Sequence, residues 1–153
     1  MWNASAATTR CAQPAPTLRI ILDTCVLKLA TLPNPENKAA FIWELCRMGL
    51  FEVFCSPDTL AEYHRVLAGH PRFLEEIHGR VELCYPLFTA TAIAHEPDNR
   101  FLEVALAVRA DYLLTVNTAR GHFDRKSYES VRVATPGEFL KQPDVELLVR
   151  TVD

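Results

Sequence analysis

Hydrophobic positions along the chain alternate between short solid runs and stripes at helical spacing. Leu18 to Asp23 (LRIILD) is a mostly apolar run ending on a carboxylate, the pattern of a strand buried on both faces. After Pro33, Asn34 and Pro35, the residues Ala40, Trp43, Leu45 and Met48 recur near helical spacing, predicting a helix over 36–48 that Gly49 stops. FEVFC (51–55) reads as a second strand. Ser56-Pro57 offers a hydroxyl N-cap followed by a proline at the first helical position, and Leu60, Tyr63 and Leu67 form the apolar stripe of that helix. A short helix is expected over 72–78, then an irregular stretch through Ala94. Pro97-Asp98-Asn99 opens FLEVALAV (101–108), apolar on nearly all sides and so a buried helix. Strands at 111–116 and 131–135 and a short helix over 136–140 follow.

Strands alternating with helices predict an α/β fold, a three-layer α/β/α sandwich around a mainly parallel sheet. One domain is expected over 18–142. The Ala-, Thr- and Pro-rich residues 1–17 read as a loose tail, and 143–153 as a C-terminal tail. Sites in such folds lie beyond the carboxyl ends of the strands. That rule singles out Asp23, Ser56, Thr115 and Asn117.

Composition narrows the chemistry. The 5 glycines among 153 residues are scattered, and neither G-x-G-x-x-G nor G-x-x-x-x-G-K-[ST] can be written, so phosphate chemistry must use side chains or metals. Lys+Arg 16 against Asp+Glu 19 gives a net charge of −3, which excludes a whole-surface basic field but leaves room for a local patch. Apolar stretches are broken by charge well before the ~18 residues of a membrane span, and 1–17 lack the apolar core of a secretory signal. A cytoplasmic protein without a membrane partner is expected. The 5 cysteines never form C-x-x-C and read mostly as small buried hydrophobes.

Three acids carry the sharpest signal: Asp23 at the end of the first strand, Glu62 on the helix after the second, and Asp98 just before the buried helix. Each has an ordinary alternative, an N-cap for Asp23 and Asp98 and a solvated helix face for Glu62. Three carboxylates converging at ~5 Å would repel by about 3 kcal/mol per pair at an effective dielectric of ~20. A divalent cation relieves that repulsion, and all-oxygen ligation suits Mg²⁺ or Mn²⁺. The histidines form no H-E-x-x-H or comparable zinc pattern, and G-x-S-x-G is absent. The loop 120–126 places Arg120, Arg125 and Lys126 after the third predicted strand, where they could contact phosphates.

LDT-x-VL (22–27), SPDTLAEYHRVL (56–67), PDNRFLEVALAVRADYLLT (97–115) and VATPGEFL (133–140) resemble the PIN-domain proteins that serve as toxins of bacterial toxin–antitoxin systems. The resemblance implies an Mg²⁺- or Mn²⁺-dependent endoribonuclease in which Asp23, Glu62 and Asp98 hold the metal. It implies that Asn117 and Thr115 orient water or substrate, that Ser56 lines the cleft, and that Asn99 lies beside the third acid among the substrate-binding residues. Arg120 and Lys126 would position the RNA backbone. A cognate antitoxin would cover the cleft, and dimerisation to a homodimer is common in the family. Two departures stand out. The family's D-T-N is here Asp23-Thr24-Cys25, and an acid often found after the L-V-T strand is here Asn117. They motivate the alternative of a degenerate PIN module that binds RNA or a protein without cleaving.

Overall fold

The computed structural model describes residues 17–152, so the expected tail over 1–17 lies, apart from Thr17, outside the described residues. Among the described residues six strands and seven helices follow one another as β1 (Leu18–Leu22), α1 (Thr24–Ala30), α2 (Lys38–Arg47), β2 (Phe51–Cys55), α3 (Pro57–Val66), α4 (Pro71–Arg80), β3 (Val81–Leu83), α5 (Asp98–Ala107), β4 (Tyr112–Leu114), β5 (Ser127–Tyr128), β6 (Val131–Ala134), α6 (Pro136–Leu140) and α7 (Pro143–Arg150). The strands make one sheet in the order β3-β2-β1-β4-β6-β5. All pairs are parallel except β5 with β6.

Successive residues of a strand point to opposite faces, so a strand buried at every position must be covered on both sides. Ile20, Ile21 and Leu22 of β1 and all of β4 are buried, which makes the protein an α/β/α sandwich as expected. On the face shared by Ile20, Phe51 and Tyr112, Phe139 of α6 meets Phe51 and Tyr112 edge-on at centroid distances of 5.2 and 5.0 Å. Helix α5 packs against β1, β2 and β4.

Local signals account for most of the helices. Ser56 caps α3 by accepting from the Thr59 N–H while the Thr59 hydroxyl accepts from the Ser56 N–H, with Pro57 at the first turn. The Asn37 side chain caps α2, and Gly49, at φ +80°, takes the left-handed conformation that closes it.

The C-terminal segment differs from the expected tail. Residues 143–150 form α7, which starts on a proline and buries Val145 completely. Its anchor is Asp144: one carboxylate oxygen accepts from the Tyr112 hydroxyl at 2.9 Å, the other from Arg132 at 2.8 Å, and the Arg132 guanidinium lies 4.1 Å over the Tyr112 ring. Desolvation would raise the Asp144 carboxyl, but the bonds from Arg132 and Tyr112 outweigh it and hold the group below its usual 3.8. A carboxyl depressed in the folded chain contributes stability above its unfolded value and loses it as pH falls through the folded one. Asp144→Asn is therefore expected to lower stability at pH 7 by about 0.5–1 kcal/mol, the pair being half-exposed. The difference from the parent in urea melts should vanish in acid below the carboxylate range.

Candidate active site

β1 lies between β2, to which the chain runs next, and β4, reached only later, so the connections leave it in opposite directions. A crevice opens beyond the carboxyl ends of strands at such a switch point. Asp23 and Thr115 are the first residues past β1 and β4, and the Asp23 N–H donates to the Leu114 carbonyl at 2.9 Å, locking the two ends together.

Asp23 stands at the N-cap position of α1, yet its side chain makes no capping bond. Its carboxylate instead accepts from the Thr115 hydroxyl at 2.7 Å and from the Cys25 thiol at 3.3 Å. Burial, followed by the negative charges of Asp98 and Glu62, raises this carboxyl above 3.8 against the lowering effect of those two donors. Glu62 and Asp98, from distant parts of the chain, thus lie near enough to the nearly buried Asp23 for their charges to act on it.

Glu62 is brought there by its neighbour. Tyr63 is fully buried and its hydroxyl donates to the Leu22 carbonyl, pinning α3 to the end of β1 one residue before Asp23. The Glu62 carboxylate accepts from the Thr24 hydroxyl and lies 3.6 Å from Arg65. Asp98 sits in the first turn of α5 without capping it; one oxygen is 3.3 Å from His95 Nδ1 and the other 2.9 Å from His122 Nδ1. The two histidines are not among the residues that the sequence singles out. His95, three residues before Asp98, was the local signal, whereas His122 comes from the loop after β4.

Several expected residues have other work. Ser56, expected to line the cleft, is buried and committed to the α3 cap. Asn99, expected on the substrate side, is fully buried: its amide accepts from the Ile93 N–H and donates to the Ile93 carbonyl and to Glu96, fastening the loop before α5. Adjacent residues on a helix turn to different sides, so only Asp98 of the pair faces the crevice. Thr115 is fully buried and acts through Asp23, also accepting from the Asn117 N–H at 2.9 Å. Asn117 is partly buried beside it. Arg120 is exposed on the loop, and Lys126 lines a groove of about 620 Å³ with Thr118, Arg125 and Thr135 on the β6 side of the sheet, away from the acids.

Cys25 does not leave the site unsteadied. Its thiol donates to Asp23 and its sulfur accepts from the Val116 N–H at 3.4 Å. Burial and then the Asp23 charge push the thiol up to about 11, so it is protonated at neutral pH and poorly suited to nucleophilic attack. The four cysteines among the described residues are all free, and Cys11 lies outside them.

A buried carboxylate with like charges near it and two side-chain donors on it is a group that a divalent cation would relieve, and its donor set is oxygen, as Mg²⁺ or Mn²⁺ requires. Thr115→Val removes the hydroxyl bridging Asp23 and Asn117. Divalent-ion affinity, measured by titration calorimetry, is expected to fall about tenfold, as for other partners that orient a metal ligand.

Fold and site together define an α/β domain with an acidic centre at its topological switch point. The chain belongs to the PIN-domain family, whose family model matches residues 19–119, a span containing all three acids and Thr115. PIN domains are generally nucleases that use divalent metals. Among curated proteins and solved structures no significant match is found. Among the described residues no helix is long and apolar enough to cross a membrane.

Proposed function

We propose that this PIN domain is an endoribonuclease that hydrolyses RNA phosphodiesters with Mg²⁺ or Mn²⁺, and that it is the toxin of a toxin–antitoxin pair acting in the cytoplasm. The observation that carries the reading is Asp23: a carboxylate that does not cap its helix, raised first by its burial and then by the charges of Asp98 and Glu62. Asp23, Glu62 and Asp98 would hold the metal, which when bound supplies a water of lowered pKa and a positive charge for a phosphate oxygen. Thr115 keeps the Asp23 carboxylate in place, and Thr24 does the same for Glu62. The partly buried Asn117, beside Thr115, would offer an amide to substrate or water. Arg120 and Lys126 are exposed cations that would bind the RNA backbone, Lys126 at a distance from the acids on the β6 side, where salt weakens them. The antitoxin would act by covering the crevice, and a homodimer is compatible with this arrangement.

Incubation of the chain with a single-stranded RNA and Mn²⁺ tests the proposal. Cleavage that chelator abolishes is the expected result. Intact RNA at every Mn²⁺ concentration, with RNA still bound, would instead identify a degenerate module that binds without cutting.

A further inference from the structure

Asp98 is held by a cluster that hydrolysis does not require. His95, Asp98 and His122 come from the loop before α5, its first turn and the loop after β4, and they bring one potential ligand atom each to within 4.8 Å of one another. Both Nδ1 atoms face the carboxylate, one at each oxygen, and the imidazole rings lie 4.5 Å apart between centroids. The loops are tied together in this position. The His95 N–H donates to the Gly121 carbonyl at 2.7 Å, and Gly121 holds φ +92°, a conformation that side-chain-bearing residues rarely adopt, immediately before His122. His95 is half-exposed and His122 one-third exposed, so an ion can reach the cluster from solvent.

We infer that His95, Asp98 and His122 form a binding site for a divalent first-row transition ion, with zinc the best fit. Two imidazoles and one carboxylate with a solvent-accessible side match the three-ligand zinc arrangement, water completing the shell. Magnesium, which demands oxygen, is a poor occupant, and manganese binds nitrogen donors more weakly than zinc. The site therefore differs in metal preference from the Asp23–Glu62–Asp98 set while sharing one ligand with it. Resting on the nuclease reading, an ion held by the histidines withdraws Asp98 from the hydrolytic set, so zinc opposes Mg²⁺ and inhibits.

The test is zinc chloride titrated into the full chain, followed by calorimetry and by the ring ¹⁵N resonances of labelled histidine. His64 and His78, whose Nε2 atoms lie 2.6 Å apart on α3 and α4, supply the internal control as a two-ligand competitor. Zinc is expected to shift the His95 and His122 signals while magnesium chloride leaves them in place. His122→Gln and His95→Gln retain an amide able to donate to Asp98, yet each should weaken zinc binding at least ~tenfold, and His78→Gln should leave it within about twofold. Equal zinc affinity in parent and both loop variants, or loss only in His78→Gln, would overturn the site. Zinc binding without RNA cleavage would keep this site and reject the nuclease reading; cleavage without zinc binding would do the reverse.

Discussion

Asp23→Asn is expected to abolish metal-dependent RNA cleavage, by about 10³-fold or more, while making the metal-free protein more stable. The two effects have one cause. The carboxylate is buried, with Asp98 and Glu62 adding like charge, so its own charge costs folding free energy, and the same charge is what a cation needs. Because the carboxyl is raised in the folded chain, the folded state binds its proton more tightly than the unfolded state. That stability is fully present below the unfolded value of 3.8 and is lost as pH rises through the folded one. The asparagine variant escapes the loss. In chelator at pH 7 it should melt higher, by ~3 °C for each kcal/mol relieved, and the advantage should vanish in acid. Lower stability at neutral pH would show that the carboxylate is a structural acceptor for Thr115 and Cys25.

Asn99→Ala should unfold the protein more readily than any substitution of the neighbouring Asp98. The Asn99 amide is fully buried and satisfies both the N–H and the carbonyl of Ile93, so its removal leaves two buried backbone groups without partners. The expected cost is about 2–4 kcal/mol, read as a fall in melting temperature of roughly 5–12 °C. Asp98→Asn should instead keep the fold and lose divalent-ion binding. An Asn99→Ala protein with parental melting temperature and reduced RNA affinity would return Asn99 to the substrate side.

Much of this architecture is legible in the chain. The solid apolar run of β1, the Ser56-Pro57 start of α3 and the Thr135-Pro136 start of α6 each carry their cause locally, in burial on both faces or in a hydroxyl cap followed by proline. Helix α1 escaped because TCVLKLA is 7 residues long and its cap residue makes no side-chain capping bond. β3 and β5 escaped because they are edge strands of 3 and 2 residues, set by pairing with β2 and β6 and not by their own pattern. α7 did carry a signal, Pro143 at its start with Val145 buried, but its anchor to Tyr112 and Arg132 is tertiary.

The site divides in the same way. An acid ending an apolar strand marks Asp23 from sequence alone, whereas the partners that decide its state, Thr115 and the charges of Glu62 and Asp98, come from the residue after β4, from α3 and from α5. Whether Asp98 or Asn99 faces the crevice depends on the rotation of α5, which only packing fixes. His122 was invisible because its partner Asp98 is 24 residues away, beyond the local spacings by which histidine metal sites are recognised.

That Asp23, Glu62 and Asp98 act together as one cation-binding centre is tested by anomalous diffraction from crystals soaked in Mn²⁺. A shared centre gives an anomalous peak about 2.1 Å from an Asp23 oxygen and shared with Asp98 or Glu62. Anomalous signal confined to His95 and His122, with none within bonding distance of Asp23, would contradict it.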